Sequence, residues 1–226
     1  MGRVRPNGIC ALCGGVESQA AMARHLRRCA PTHDSAKGAM TTLHHLRVHG
    51  TENAIYWLDL EVRGEARLRQ LDTFLRRIWL ECCGHLSSFH IGGWTYIVTV
   101  DRTFEPIPNE RSMNVRVSEV LPAQGQRFRY EYDFGSTTDL TLRVMGSRQG
   151  SIGRSPVRLL ARNRAPIWQC AVCGEPATLV CSFCVSDGDP FCCAKHAPEH
   201  ACGEGEAFLP VVNSPRMGVC GYTGEA

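Results

Sequence analysis

Ten of the thirteen cysteines gather in two clusters near the ends of the chain, and each cluster has the spacing of a metal site. In the first, Cys10 and Cys13 form a CxxC knuckle, and His25 and Cys29 follow with three residues between them, as on adjacent helical turns. The second is denser: Cys170/Cys173, Cys181/Cys184, Cys192 or Cys193 with His196, then His200 and Cys202. Thiolate and imidazole at these separations can close a tetrahedron around zinc, whereas an isolated CxxC cannot. Segments this short bury too little apolar surface to offset chain entropy, so the metal would serve as their core.

With 226 residues the chain can build one ordinary hydrophobic core beside such small modules. It contains no apolar run of the ~18 residues needed to cross a bilayer and no secretion signal, so the expectation is a soluble, cytoplasmic protein with no membrane partner. CxxC pairs interleaved with histidine suit zinc in a reducing compartment better than a secreted disulfide scaffold. Net charge is +3, but residues 1–50 carry seven Lys/Arg against two Asp/Glu, and residues 168–226 carry two against seven. A basic head suits an anionic partner such as nucleic acid, and an acidic tail suits a basic protein.

These features divide the chain into a C2HC zinc finger (1–30), a linker (31–52), an α+β core (53–165), a two-zinc module (166–204) and a turn-rich tail (205–226). His44, His45 and His49 are read as exposed linker histidines rather than ligands. In the core, Tyr56, Leu58, Leu60 and Val62 alternate as in a half-buried strand, while Leu68, Leu71, Leu75, Ile78, Trp79 and Cys82 recur at helical spacing. Further strands are expected at 96–100, 114–120, 127–134 and 140–145, and SPVRLLARNRAPIW reads as a basic connector. One helix and several consecutive strands predict a mostly antiparallel sheet with one main amphipathic helix, flanked by the zinc modules. In the tail, Leu209, Val211 and Val212 could add an edge strand to that core.

In the finger, Val16 and Met22 would plug the metal-centred core. His33 competes with Cys29 as fourth ligand, and Cys29 is preferred because Pro31 ends the helix first. The separation of Cys13 from His25 is close to that of the common ββα finger, whose base-reading positions would fall on Ser18, Ala21 and Arg24. Only Arg24 has the reach for a base edge, so nucleic-acid contact would run through Arg24, Arg27 and Arg28, chiefly to phosphates, with protein docking as the competing role.

In the C-terminal cluster, four pairs of ligands are read as two cross-braced zinc ions. Cys170, Cys173, Cys192 and His196 would hold one, and Cys181, Cys184, His200 and Cys202 the other, with Cys193 as the alternative to Cys192. This arrangement resembles the cross-braced fingers of the MYND and HIT type, which act chiefly in protein interaction. Two sequential single-zinc sites are the alternative grouping. Three zinc ions per chain are expected, and chelation is expected to unfold the end modules while leaving the core intact.

The stretch YEYDFGSTTDLTLRV (130–144), with GHLSSFHI at 84–91, resembles the Ri-plasmid open-reading-frame-three-like family, also described as an insertion-element passenger and resolvase-like. The likeness covers about residues 53–165 and implies an α+β domain associated with mobile elements. Where the family commonly continues with an acidic residue, a tryptophan and a histidine, this chain has Ser136, Thr138 and Leu140. No serine- or tyrosine-recombinase constellation accompanies the resolvase label.

The Asp133-Phe134-Gly135 triplet of protein kinases stands here without a glycine-rich loop, a VAIK-like strand or an HRD-like loop, so kinase chemistry is excluded. Cys82, Cys83, His85 and His90 could activate a thiol, but Cys82 continues the apolar helix face and reads as core. Cys220 reads as part of a packed tail rather than as a reactive thiol. No catalytic residue is assigned. The expected function is a zinc-binding adaptor for a protein or for nucleic acid, and the alternative is an enzyme of mobile-element or nucleic-acid processing that uses Asp133 or those cysteines.

Overall fold

A computed structural model describes residues 7–98, 109–185, 188–202 and 207–224. The chain forms two compact units: Met1–Leu75 with Leu86–Arg164, and Arg76–His85 with Ala165–Ala226. No helix among the described residues is long and apolar enough to cross a membrane.

The first unit begins with β1 (Gly8–Cys10), β2 (Val16–Glu17) and α1 (Gln19–Cys29), followed by β3 (Thr41–Gly50), β4 (Trp57–Arg63) and α2 (Leu68–Leu75). It continues with β5 (Ser87–Ile91), β6 (Trp94–Ile97), β7 (Glu110–Ser112), α3 (Val117–Val120), β8 (Arg127–Tyr132), β9 (Thr138–Gly150) and β10 (Val157–Asn163). The strands make one sheet in the order β2-β1-β10-β4-β3-β9-β8-β5-β6-β7. Every pairing in it is antiparallel except β6 with β7. The α+β, mostly antiparallel expectation therefore holds.

The centre of the sheet is buried on both faces. Leu58, Leu60 and Val62 alternate on β4 as the sequence pattern requires, yet Asp59 and Glu61 between them are buried too. A buried carboxylate needs a cation beside it. Asp59 accepts from both Arg47 nitrogens Nε and Nη2, at 3.1 and 2.8 Å, and lies 2.7 Å from His45 Nε2. Glu61 accepts from Arg148 at 2.6 Å and from Arg158, and Arg148 also reaches Asp34.

These cations explain two departures from the expected organisation. Residues 41–50, expected within a linker, are the central strand β3, where His45 and Arg47 face the Asp59 carboxylate of β4 instead of water. Half of the basic connector is likewise strand β10, whose Arg158 neutralises Glu61.

The segment 114–120 is not a strand. Val117 and Ser118 donate their N–H groups to the carbonyls of Ala66 and Gly64, which folds 117–120 into the single helical turn α3. In the expected strand 96–100, β6 ends at Ile97, and residues 99–100 lie outside the described residues.

The second unit begins where α2 gives way to five π-helical residues, Arg76–Leu80, with the Glu81 N–H bonding the Arg76 carbonyl. The wider turn shifts the helical phase, so Trp79 and Leu80 are buried while Cys82 leaves the apolar stripe. The unit also contains a three-stranded sheet of β11 (Leu179–Cys181), β12 (Phe191–Cys192) and β13 (Phe208–Pro210), with β11 central. The tail strand thus pairs with the C-terminal module and not with the large sheet. Trp168 stacks on Phe191 at 4.4 Å.

Candidate metal centres

Both outer knuckles share a local design legible in the sequence: Cys10-Ala-Leu-Cys13-Gly14 and Cys170-Ala-Val-Cys173-Gly174. Gly14 and Gly174 adopt φ of +75° and +72°, and each donates its N–H to the carbonyl of the first cysteine, at 2.9 Å in both. A side chain would strain that left-handed turn. The turn brings both sulfurs of each knuckle to one side and, in the first, lets the Gly15 N–H reach Cys13 Sγ at 3.4 Å.

After β2, Ser18 caps α1 by accepting from the Ala21 N–H at 3.2 Å, and the helix carries His25 and Cys29 on adjacent turns. Cys10, Cys13, His25 and Cys29 present ligand atoms all within 4.8 Å of one another. Cys10 and Cys29 sulfurs lie 3.9 Å apart, and Cys13 Sγ is 3.3 Å from His25 Nε2. His33, the competing ligand, is not one of the four: its Nδ1 lies 3.7 Å from Cys29 Sγ but is turned to the Cys29 carbonyl at 2.9 Å, in the 3-10 turn that follows α1.

The opposite face of α1 buries Met22 and Leu26 with Ala30 against Trp57, Leu160 and Ala161 of the sheet. The finger is therefore one body with the large core and not a separate module. Of its two expected plug residues, Met22 is buried but Val16 is exposed. Arg24, Arg27 and Arg28 are exposed, and among the described residues none has an ion-pair partner. Arg24 and Arg28 flank His25 around a shallow depression of about 410 Å³.

The C-terminal ligands group in interleaved order. Cys170 and Cys173 meet Cys193 and His196, while Cys181 and Cys184 meet His200 and Cys202. Cys173 and Cys193 sulfurs are 3.9 Å apart, Cys193 Sγ is 3.3 Å from His196 Nδ1, and Cys181 and Cys202 sulfurs are 3.8 Å apart. Cys193 takes the place expected for Cys192. Adjacent residues leaving a strand point to opposite sides, and Cys192, opposite Leu179 on β12, is turned into the interior.

A fourth group, absent from the sequence expectation, joins Cys82, Cys83 and His85 to Cys220. His90 is not part of it and sits with Glu131 at 2.8 Å. His90 Nε2 also faces Ser88 Oγ at 3.0 Å, and Thr95 Oγ1 lies 3.3 Å from its Nδ1, so the ring sits in a polar network on the sheet and outside the cysteine group. Asp133 closes a turn, its Oδ1 accepting from the N–H groups of Gly135 and Ser136.

Sulfurs about 2.3 Å from a tetrahedral zinc are ~3.8 Å apart, the separation seen in these groups, whereas a disulfide needs about 2.05 Å. The thiols show what the clustering does electrostatically. Burial and the neighbouring Cys13 and Cys10 sulfurs push Cys29 up to about 12, and burial with Cys181 pushes Cys184 up to about 11. The backbone N–H groups of Cys193 and Cys173 instead draw Cys170 down to about 6. Three thiolates this close repel one another unless a cation is shared among them.

Of the acidic residues of the C-terminal segment, Asp187, Glu204 and Glu206 lie outside the described residues, while Glu175, Asp189 and Glu199 are exposed. No curated protein matches the chain. A crystal structure of a protein of unknown function, MM3350 from Methanosarcina mazei Go1, is similar at 16% identity. The likeness spans 61% of this chain and 77% of that one, with a TM-score of 0.48. The family model described as plasmid pRiA4b ORF-3-like protein matches residues 42–177, more than half of the sequence, and the chain belongs to that family.

Proposed function

We propose that this protein is a zinc-binding adaptor of the cytoplasm, linked to mobile elements through its family, that docks a protein partner and carries out no chemistry of its own. The observation that carries this reading is the composition of the groups expected from the sequence. Each offers three sulfurs and one imidazole nitrogen, a full tetrahedral set. A catalytic zinc keeps one position for water and draws more on histidine and carboxylate, so these sets suit ions that hold shape.

The C-terminal module is the docking surface in this reading. Its knuckles expose an apolar residue at each tip, Val172 between Cys170 and Cys173 and Phe183 between Cys181 and Cys184. Exposed Glu175, Asp189 and Glu199 in the same module favour a partner segment with apolar anchors flanked by lysine or arginine. A second reading, nucleic-acid backbone contact through α1, is favoured by the three exposed guanidiniums of Arg24, Arg27 and Arg28.

Native mass spectrometry of the purified chain, combined with turnover assays on nucleic-acid and peptide substrates, tests the proposal. Bound zinc without turnover supports it. Turnover that disappears in a folded Asp133→Ala variant, or a chain without metal, overturns it.

A further inference from the structure

The fourth cysteine-histidine group is built from two stretches that no local spacing connects. Cys82, Cys83 and His85 lie in the turn after the π-helical residues, and Cys220 lies 135 residues beyond His85. Gly84, at φ +80°, turns the chain back so that His85 Nε2 approaches Cys83 Sγ to 2.9 Å, and Glu81 Oε1 holds that turn by accepting the Gly84 N–H at 2.7 Å. Across the unit, His85 Nε2 is 3.2 Å from Cys220 Sγ, and Cys83 Sγ is 3.8 Å from it. Cys82 and Cys83 sulfurs stand 3.6 Å apart.

We propose that Cys82, Cys83, His85 and Cys220 form a fourth zinc site, which ties residues 76–85 to the C-terminal module. Three features of the geometry support it. The ligand set is three sulfurs and one nitrogen, the same as in the other groups, and the sulfur spacings match a zinc tetrahedron and exceed a disulfide. Cys220 has a φ of +48°, a conformation that strains any residue with a side chain, and it brings the thiol to the other three. The fully buried Arg216 guanidinium donates to Cys82 Sγ at 3.5 Å. Three thiolates and one dication carry a net −1, so a loaded site would place an anion beside that buried cation.

The ion would have a specific structural task. Residues 76–85 come from between the two halves of the first unit in sequence but belong to the second unit. Closing a chain loop of more than a hundred residues is entropically unfavourable, and binding energy at a preformed tetrahedron offsets it. A hydroxyl bond from Ser214 to the Trp79 carbonyl, at 2.6 Å, is a second tie between the same stretches.

Native mass spectrometry of the reduced, zinc-replete chain reads the count directly. The expected result is four zinc ions in the unaltered chain, three in Cys220→Ser and four in Cys192→Ser. Alkylation of the unaltered chain by iodoacetamide, followed by peptide mapping, needs no variant: Cys82, Cys83 and Cys220 should be protected with zinc and labelled after chelation. Three ions, with these thiols labelled in zinc-replete buffer or joined as a disulfide, would overturn the fourth site and leave the adaptor reading standing. A chain holding no zinc would overturn both.

Discussion

Cys10, the first sulfur of the N-terminal group, is the register partner of Ala161 on β10, so one residue belongs at once to the candidate metal-binding group and to the ten-stranded sheet. The neighbouring turns of α1 press Met22 and Leu26 onto Trp57. A structural ion in the finger would therefore support the large unit, contrary to the expectation of a core indifferent to chelation.

Substituting Cys13→Ala, an exposed ligand with little packing of its own, should remove one ion and lower the melting temperature of the large sheet. A loss of several kcal/mol corresponds to a shift of about 10 °C or more, at ~2–4 °C per kcal/mol for a unit of this size. Thermal melts followed by circular dichroism check this. An unchanged sheet transition would show that the finger folds on its own.

The Asp59 carboxylate is held by Arg47 and His45 with no exposure to water. Removing it in Asp59→Ala strands the Arg47 cation, and breaking a buried pair from one side is worth about 3–5 kcal/mol. Urea unfolding measures the loss. A value under about 1 kcal/mol would place the pair in effective contact with solvent.

Acid should act on the ion pairs of the sheet in a defined direction. Hydrogen bonding to Arg148 holds the Asp34 carboxyl below the ordinary carboxylate range. At Asp59, burial pushes upward, but His45 and Arg47 outweigh it and the net shift is also downward. A depressed carboxyl adds stability that is complete above its unfolded value of about 3.9 and is lost as pH falls through the folded value. The melting-temperature gap between the unaltered chain and Asp34→Asn should be constant above about pH 5 and close below about pH 4. A gap that widens on acidification would mean a raised carboxyl instead.

Cys192 and Cys193 should separate cleanly. Cys193→Ser should release one ion, as its sulfur stands 3.9 Å from Cys173 and 3.3 Å from His196, whereas Cys192→Ser should retain the full count. Mass spectrometry of the two variants side by side decides between them, and the reverse pattern would restore Cys192 as the ligand.

If α1 meets nucleic acid, replacing Arg24, Arg27 and Arg28 together by alanine should reduce the slope of log K against log salt by about 2–3, at ~0.9 per phosphate contact on B-DNA. Fluorescence anisotropy with a labelled duplex across a salt series measures it. An unchanged slope removes the finger from that interface.

The sequence carried its local elements well. Cys10, Cys13, His25 and Cys29 are ordered by a knuckle and two turns of one helix, and β4, α2 and β8 show the periods their faces require. Its errors share a physical cause. His45 and Arg47 on β3 read as solvated linker, and Arg158 on β10 as a basic connector, because a charged residue looks exposed until its buried counter-charge is placed opposite it. The π-helical residues between Arg76 and Leu80 moved Cys82 off its stripe, a phase change that no hydrophobic pattern announces.

What the residues alone made legible was three of the four cysteine-histidine groups, short of the choice between Cys192 and Cys193, since helical and knuckle spacings keep those side chains close along the chain. What only tertiary structure decided was the choice of Cys193 over Cys192, the fusion of the finger with the sheet, and the meeting of His85 with Cys220. Each depends on which way a strand faces or on contacts between distant segments, and short-range spacing holds no record of either.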